Sequence, residues 1–168
     1  MVAVVRVVVL ADTHVRDRGA TRLPSRALAE LDGADAILHA GDVVEAGLLD
    51  ALRAIAPVHA VLGNNDGALR GLLPESLELT LGGVRVAMLH DSGPRVGREG
   101  RMRRRFPNAD VVVFGHSHIP WNAEGMDAQL LFNPGSATQR RSQPHRTVGI
   151  LELTAGRVHR HDIVVVDD

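Results

Sequence analysis

A chain of 168 residues, 45% of them hydrophobic, is long enough to bury one substantial core, so a single domain over residues 1–168 is expected. The formal charge is −1 with nine histidines counted neutral, so no global field draws the protein to nucleic acid or to an anionic membrane surface. The absence of cysteine excludes disulfide frameworks, zinc fingers and iron–sulfur clusters, and leaves nitrogen and oxygen to hold any metal.

The N-terminal apolar run is interrupted by Arg6 and is too short to cross a bilayer. A cytoplasmic location is therefore expected, and residues 4–10 read as a strand covered on both faces, as in a parallel or mixed sheet. A helix over 24–31 follows, with Leu23, Ala27, Leu28 and Leu31 at helical spacing behind Pro24 and Ser25. A strand at Ala36–His39 runs into Gly41-Asp42. The helix over 45–55 carries Leu48, Leu49, Leu52 and Ile55 on one stripe, and Pro57 precedes a strand over 58–62 that leads to Gly63-Asn64. This rhythm of strand, polar loop and helix argues for an α/β fold whose ligand loops lie at the carboxyl ends of the strands.

The second half is richer in strands. Gly82-Gly83 is a two-residue turn between Ser76–Leu81 and Val84–Leu89. A strand over 111–114 ends at Gly115-His116, and a hairpin pairs 147–153 with 157–166. A second sheet stacked on the first, with helices outside, is the expected arrangement.

Polar chemistry collects where the apolar strands end: Asp12-Thr13-His14, Gly41-Asp42, Gly63-Asn64-Asn65-Asp66, His90 and Gly115-His116-Ser117-His118. Carboxylates, an amide oxygen and imidazoles suit Mn, Fe, Ni, Co or Zn, and seven such side chains exceed what one tetrahedral ion takes. Two divalent ions are expected, with Asp42 as the bridging carboxylate. Two ions bring +4 and the two carboxylates −2, so a net positive site remains. Such a site attracts a phosphoryl group and acidifies water into a hydroxide nucleophile, which points to phosphate-ester hydrolysis.

These blocks, in this order and spacing over nearly the whole chain, resemble the calcineurin-like metallophosphoesterase superfamily, in particular its small bacterial and archaeal phosphodiesterase branch. The resemblance implies a four-layer α/β/β/α sandwich of two mixed sheets flanked by helices. It further implies that Asp12, His14, Asp42 and His118 hold one metal while Asp42, Asn64, His90 and His116 hold the other. Manganese is the expected metal, ahead of nickel, iron, cobalt or zinc, and a small phosphate ester, foremost a diester, is the expected substrate, with a nucleotide-like one among the alternatives. The Asn133-Pro134-Gly135-Ser136 stretch resembles the branch's loop on the substrate side, although Pro-Gly is also an ordinary turn.

Two positions depart from that pattern. Asn65 stands where many members of the superfamily place a histidine that protonates the leaving group. An amide cannot release a proton, so Asn65 is expected to donate hydrogen bonds to phosphate oxygens, with Asp66 orienting the asparagines from behind. Asp91 follows His90 where the branch usually shows glycine, and it reads as a solvated loop residue more readily than as an acid.

Several residues carry a bland reading beside a sharp one. His39 reads as a satisfied core histidine rather than a ligand, and His59, His145, His159 and His161 as surface or hairpin residues. The run 95–105 holds six arginines and one glutamate; a solvated helix face with Met102 and Phe106 turned inward is preferred over a basic collar for substrate. Every basic residue in this chain is arginine, so the run is not distinctive. Trp121 reads equally as a loop seal or as a stacking platform. A partner-binding scaffold and a nuclease are the rival functions; a nucleic-acid partner is not expected, and homo-oligomerisation is left open.

Overall fold

The computed structural model describes residues 2–16 and 22–168. The first part of the chain alternates β1 (Val5–Leu10), α1 (Ser25–Leu31), β2 (Ala36–His39), α2 (Ala46–Arg53) and β3 (Val58–Ala60). There follow β4 (Ser76–Leu81), β5 (Val84–Leu89), α3 (Arg98–Arg105), β6 (Val111–Val113), β7 (Trp121–Glu124), β8 (Leu130–Asn133), β9 (Thr147–Thr154) and β10 (Arg157–Val165).

The strands form two mixed five-stranded sheets, in the orders β10-β9-β1-β2-β3 and β4-β5-β6-β8-β7. Within the first, β1, β2 and β3 are parallel and β9 runs antiparallel to β1. Within the second, β5, β6 and β8 are parallel. Alternation along β1 shows why it is apolar throughout from Val7 to Leu10. Val7 and Val9 meet Val86, Met88, Val113 and Phe132 of the other sheet, whereas Val8 and Leu10 meet Leu31 of α1 and Leu48 and Leu52 of α2. A third cluster packs Met102 and Phe106 against Ala87, Leu89, Val112 and Phe114 on the outer face of the second sheet. The layers are therefore α1 and α2, first sheet, second sheet and α3: the expected α/β/β/α sandwich.

Three expectations change in detail. The helix α2 stops at Arg53, so Ile55 lies beyond it and is 43% exposed rather than part of the buried stripe. The β9–β10 hairpin joins the first sheet beside β1. The second sheet is completed instead by β7 and β8, two strands the sequence pattern did not announce.

Candidate metal centre

The seven candidate ligands all follow the carboxyl ends of parallel strands, four from the first sheet and three from the second. Past the ends of β1 and β2 the chain segments stay side by side: Asp12 N–H donates to Gly41 O (2.9 Å), His14 N–H to Asp42 O (2.9 Å), and Val15 pairs with Val44. This close approach is made in an unusual backbone. Asp12, His14, Asp42, His116 and His118 have φ of 52°, 46°, 58°, 70° and 61°. Non-glycine residues rarely adopt this left-handed region, and where they do the surrounding structure must hold them there, most often at functional sites.

The side chains converge in two overlapping groups. Donor atoms of Asp12, His14 and His118 lie within 4.8 Å of one another, as do those of Asp12, Asp42 and His90. Asp42 Oδ2 stands 3.5 Å from both His14 Nε2 and His90 Nε2, one nitrogen from each expected ligand set. Asp12 Oδ1 is likewise 3.7 Å from His118 Nε2 and 3.8 Å from His90 Nε2. Asn64 Oδ1 lies 3.0 Å from His90 Nε2 and 3.1 Å from His116 Nδ1. The structure thus brings all seven residues together, and a cleft of about 320 Å³ opens on the Asn64, His90 and His116 side.

Backbone carbonyls fix the imidazoles. His90 Nδ1 lies 2.7 Å from Ala40 O and His118 Nδ1 2.5 Å from Gln139 O. A carbonyl can only accept, so each Nδ1 carries the hydrogen and each neutral ring turns the Nε2 lone pair into the site. The sequence offers no signal for such carbonyls.

Other side chains hold the loops. Asp66 is buried and accepts the backbone N–H groups of Asp42 (2.9 Å), Val44 (2.6 Å) and Gly63 (2.7 Å). It ties the loop after β2 to the loop after β3, and does not orient the Asn64 or Asn65 side chains directly. Asn65 makes contacts that the sequence does not announce. Its backbone N–H donates to Asp42 Oδ1 and its amide to Asp42 Oδ2, both at 2.8 Å, so it grips a carboxylate of the protein. Gly63 must be glycine at this crossing, because a Cβ there would lie 2.2 Å from Asp42 N.

Ser136 is also buried: its hydroxyl donates to Asp12 O (2.8 Å) and accepts from Gln139 N–H (2.9 Å), anchoring the 133–139 loop rather than facing substrate. Arg140 donates to Gln143 O. His39 is fully buried, 2.9 Å from the Thr13 hydroxyl, and burial drives its pKa down to about 3, so it is a neutral prop as read from the sequence.

Electrostatics test whether cations fit. Both Asp12 carboxylate oxygens are buried with no hydrogen-bond donor among the described residues. Burial accordingly pushes the Asp12 carboxyl up to about 7. Burial opposes ionisation of Asp42 too, but hydrogen bonding to His90 and Asn65 outweighs it and holds this carboxyl below the usual range. His14 and His118 are shifted down, chiefly by burial. Burial also acts against His90, yet its contacts with Asp42, the Ala40 carbonyl and Asp12 raise it. Orphaned carboxylate oxygens, an amide oxygen and inward lone pairs make a donor set that fits divalent cations.

The remaining candidates stay outside. His145 bonds Asp167 (2.7 Å) and His161 bonds Asn122 (2.7 Å), while His59 and His159 lie in β3 and β10. Trp121 packs against the α3 cluster and lies under the guanidinium groups of Arg95 (5.0 Å) and Arg98 (5.3 Å), which is the loop-seal reading. Asp91 accepts from Gly93 N–H (2.7 Å) and stands 4.0 Å from His116 Nε2.

Comparison with known proteins agrees with this geometry. The chain is 36% identical over 136 residues to a probable metallophosphoesterase of Methanocaldococcus jannaschii, covering 79% of this chain and 68% of that one. It is 30% identical over 152 residues to a probable metallophosphoesterase of Bacillus subtilis, covering 88% and 83%. Among solved structures, a Vps29 single mutant from Entamoeba histolytica is 25% identical with a TM-score of 0.74, covering 96% of this chain and 99% of that one. A structure described as a novel archaeal phosphodiesterase shares the fold at 21% identity and a TM-score of 0.73, covering 95% and 99%. The family model for the calcineurin-like phosphoesterase superfamily domain matches residues 5–156, and the chain belongs to that superfamily.

Proposed function

We propose that this protein is a metal-dependent phosphodiesterase that binds two divalent cations, manganese foremost, and hydrolyses a small phosphate diester by in-line attack of water. Asp12, His14, Asp42 and His118 would hold one ion, and Asp42, Asn64, His90 and His116 the other. When bound, such ions supply positive charge that clamps phosphoryl oxygens and lowers the pKa of water. The observation that carries the reading is Asp12, a buried carboxylate with no hydrogen-bond donor among the described residues, whose oxygens lie within 4.8 Å of donor atoms of His14 and His118 and of Asp42 and His90.

The protein's own groups set the terms of the reaction. Ala40 O and Gln139 O keep the His90 and His118 rings in the tautomer that presents Nε2. Asn65 holds both oxygens of Asp42, so the carboxylate keeps one orientation while phosphate binds and leaves. Since Asn65 is engaged and cannot protonate a leaving alkoxide, substrates with acidic leaving groups are favoured, aryl diesters over alkyl monoesters. Vps29 is a structural neighbour, and a partner-binding scaffold is the rival reading; the completeness of the ligand set favours the enzyme.

The test uses purified protein loaded with Mn²⁺ and bis(p-nitrophenyl) phosphate. Turnover is expected in the wild type, and Asp42→Ala should abolish both metal occupancy and turnover. Undiminished hydrolysis by chelator-stripped protein would contradict the proposal.

A further inference from the structure

Four of the six arginines between residues 95 and 105 are committed to the protein itself. Arg95 and Arg98 lie over the Trp121 ring, Arg101 donates to the carbonyls of Ser92 (3.1 Å) and Val96 (2.8 Å), and Arg103 donates to Asp127 (2.9 Å). Arg105, the last residue of α3, is exposed and lines the cleft that carries Asn64, His90 and His116. Arg70, which follows the 3-10 turn Gly67–Leu69 on the other side of the chain's midpoint, lines the same cleft.

Neither guanidinium is neutralised. Among the described residues, Arg70 and Arg105 have no ion pair or side-chain hydrogen bond; the nearest partner is the Phe106 ring, 5.4 Å from Arg105 Cζ. Glu75 and Asp91 share the cleft without pairing to them, and Asp91 is already engaged with Gly93 N–H. Leu62 and Leu89 supply the apolar part of the lining. Two free guanidinium groups in a cleft continuous with a phosphoryl site match a second multivalent oxyanion on the same molecule. Their planar forks suit the several oxygens of a terminal phosphate better than a lone hydroxyl or amide would. The cleft volume of about 320 Å³ suits a nucleotide-sized body.

We propose that Arg70 and Arg105 form a subsite for a second phosphate, so that the preferred substrate is a diester carrying a further phosphate on its alcohol portion. This rests on the phosphodiesterase reading of the metal centre, and the experiment separates the two.

With the Mn²⁺-loaded protein, kcat/KM is compared for thymidine 5′-(p-nitrophenyl phosphate) and for the same compound phosphorylated at the 3′ position. The wild type should prefer the 3′-phosphorylated compound by about tenfold or more, consistent with charge-assisted hydrogen bonds at a partly exposed site. The Arg70→Ala/Arg105→Ala double variant should reduce that ratio to near one, while Arg104→Ala, which lies outside this cleft, should leave it unchanged. The same ratio is read by calorimetry as the affinity for thymidine 3′,5′-bisphosphate over thymidine 5′-monophosphate. A wild type with no preference in either measurement, or a double variant that keeps it, overturns the subsite. Hydrolysis of neither ester together with an Arg-dependent calorimetric preference would refute the phosphodiesterase reading and uphold the subsite.

Discussion

Asp12 and Asp66 are both buried carboxylates, and their surroundings are opposite. Asp66 accepts three backbone N–H groups, whereas neither oxygen of Asp12 has a donor among the described residues. Replacing Asp66 by Asn puts an NH2 group against backbone donors and strands at least one of them. We expect Asp66→Asn to cost about 3 kcal/mol in urea unfolding and to weaken Mn²⁺ binding at least about tenfold by calorimetry. A loss near zero would show that the three contacts are dispensable. For Asp12 the sign reverses in the metal-free protein. Its folded pKa of about 7 lies above the ordinary 3.8, so the folded state holds the proton more tightly between those values. The group's contribution is complete below about pH 4 and is lost as pH rises through 7, leaving a buried charge. Asp12→Asn should therefore stabilise the metal-free protein by about 1–3 kcal/mol at pH 8, with little gain at pH 4, while abolishing metal binding. Equal stability of the two proteins at pH 8 would show that Asp12 carries no such penalty. The candidate ligands were legible in the sequence because their chemistry is carried by side-chain identity at strand ends. The duties of Asn65 and Asp66 were not, because a side chain that binds backbone N–H groups leaves no spacing rule behind.

At the scale of elements, each sheet uses the same lock between its leading parallel strands. In the first, Arg6 N–H donates to the Asp35 carboxylate (2.8 Å) and Asp35 N–H to Arg6 O (2.8 Å), fixing β1 against β2. In the second, Arg85 N–H donates to Asp110 Oδ2 (2.9 Å) and Asp110 N–H to Arg85 O (2.8 Å), with the guanidinium adding contacts at 3.1 and 2.8 Å. Those contacts, led by the guanidinium, hold the Asp110 carboxyl below its ordinary 3.8. The resulting stability is present above that value and is lost as pH falls through the depressed pKa. Because the pair is largely exposed, Asp110→Asn should cost only about 0.5–1 kcal/mol at pH 7, with wild type and variant converging once the pH falls below the depressed pKa. A difference that persists in acid would assign the effect to packing instead. The same scale explains which strands could be read in advance. Strands β1, β2 and β6 are largely buried on both faces and announce themselves as short runs rich in valine, isoleucine and leucine, while β5 is announced by the Gly82-Gly83 turn before it. Strand β7 is an exposed edge, WNAE, without apolar alternation, and β8 is four residues ending in Asn133, so neither rises above a loop until its partner is known.

For the molecule as a whole, the candidate metal centre is built from loops of two sheets that already share a core. Val7, Val9, Met88, Val113, Phe132 and Leu151 pack the sheets together without any ion, so the metal-free protein should remain folded. What the ions would add is a crosslink at one end of the sandwich. Asp12, His14, Asp42 and Asn64 follow strands of the first sheet, while His90, His116 and His118 follow strands of the second. An ion that binds only the folded arrangement stabilises it by RT ln(1 + [L]/Kd), or about 2.7 kcal/mol at a hundredfold excess over Kd. For a chain of this size that corresponds to a rise of roughly 5–11 °C in Tm. Titrating Mn²⁺ into chelator-treated protein should produce that rise, with hydrogen-exchange protection gained first in the loops after β1, β2, β3, β5 and β6. Asp42→Ala should show neither effect, since it removes a carboxylate that faces ligands from both sheets. A Tm unchanged by Mn²⁺ in the wild type would mean that the strand-end loops do not bind the ion as one site, and a metal-free protein already unfolded would mean that the inter-sheet core is insufficient by itself.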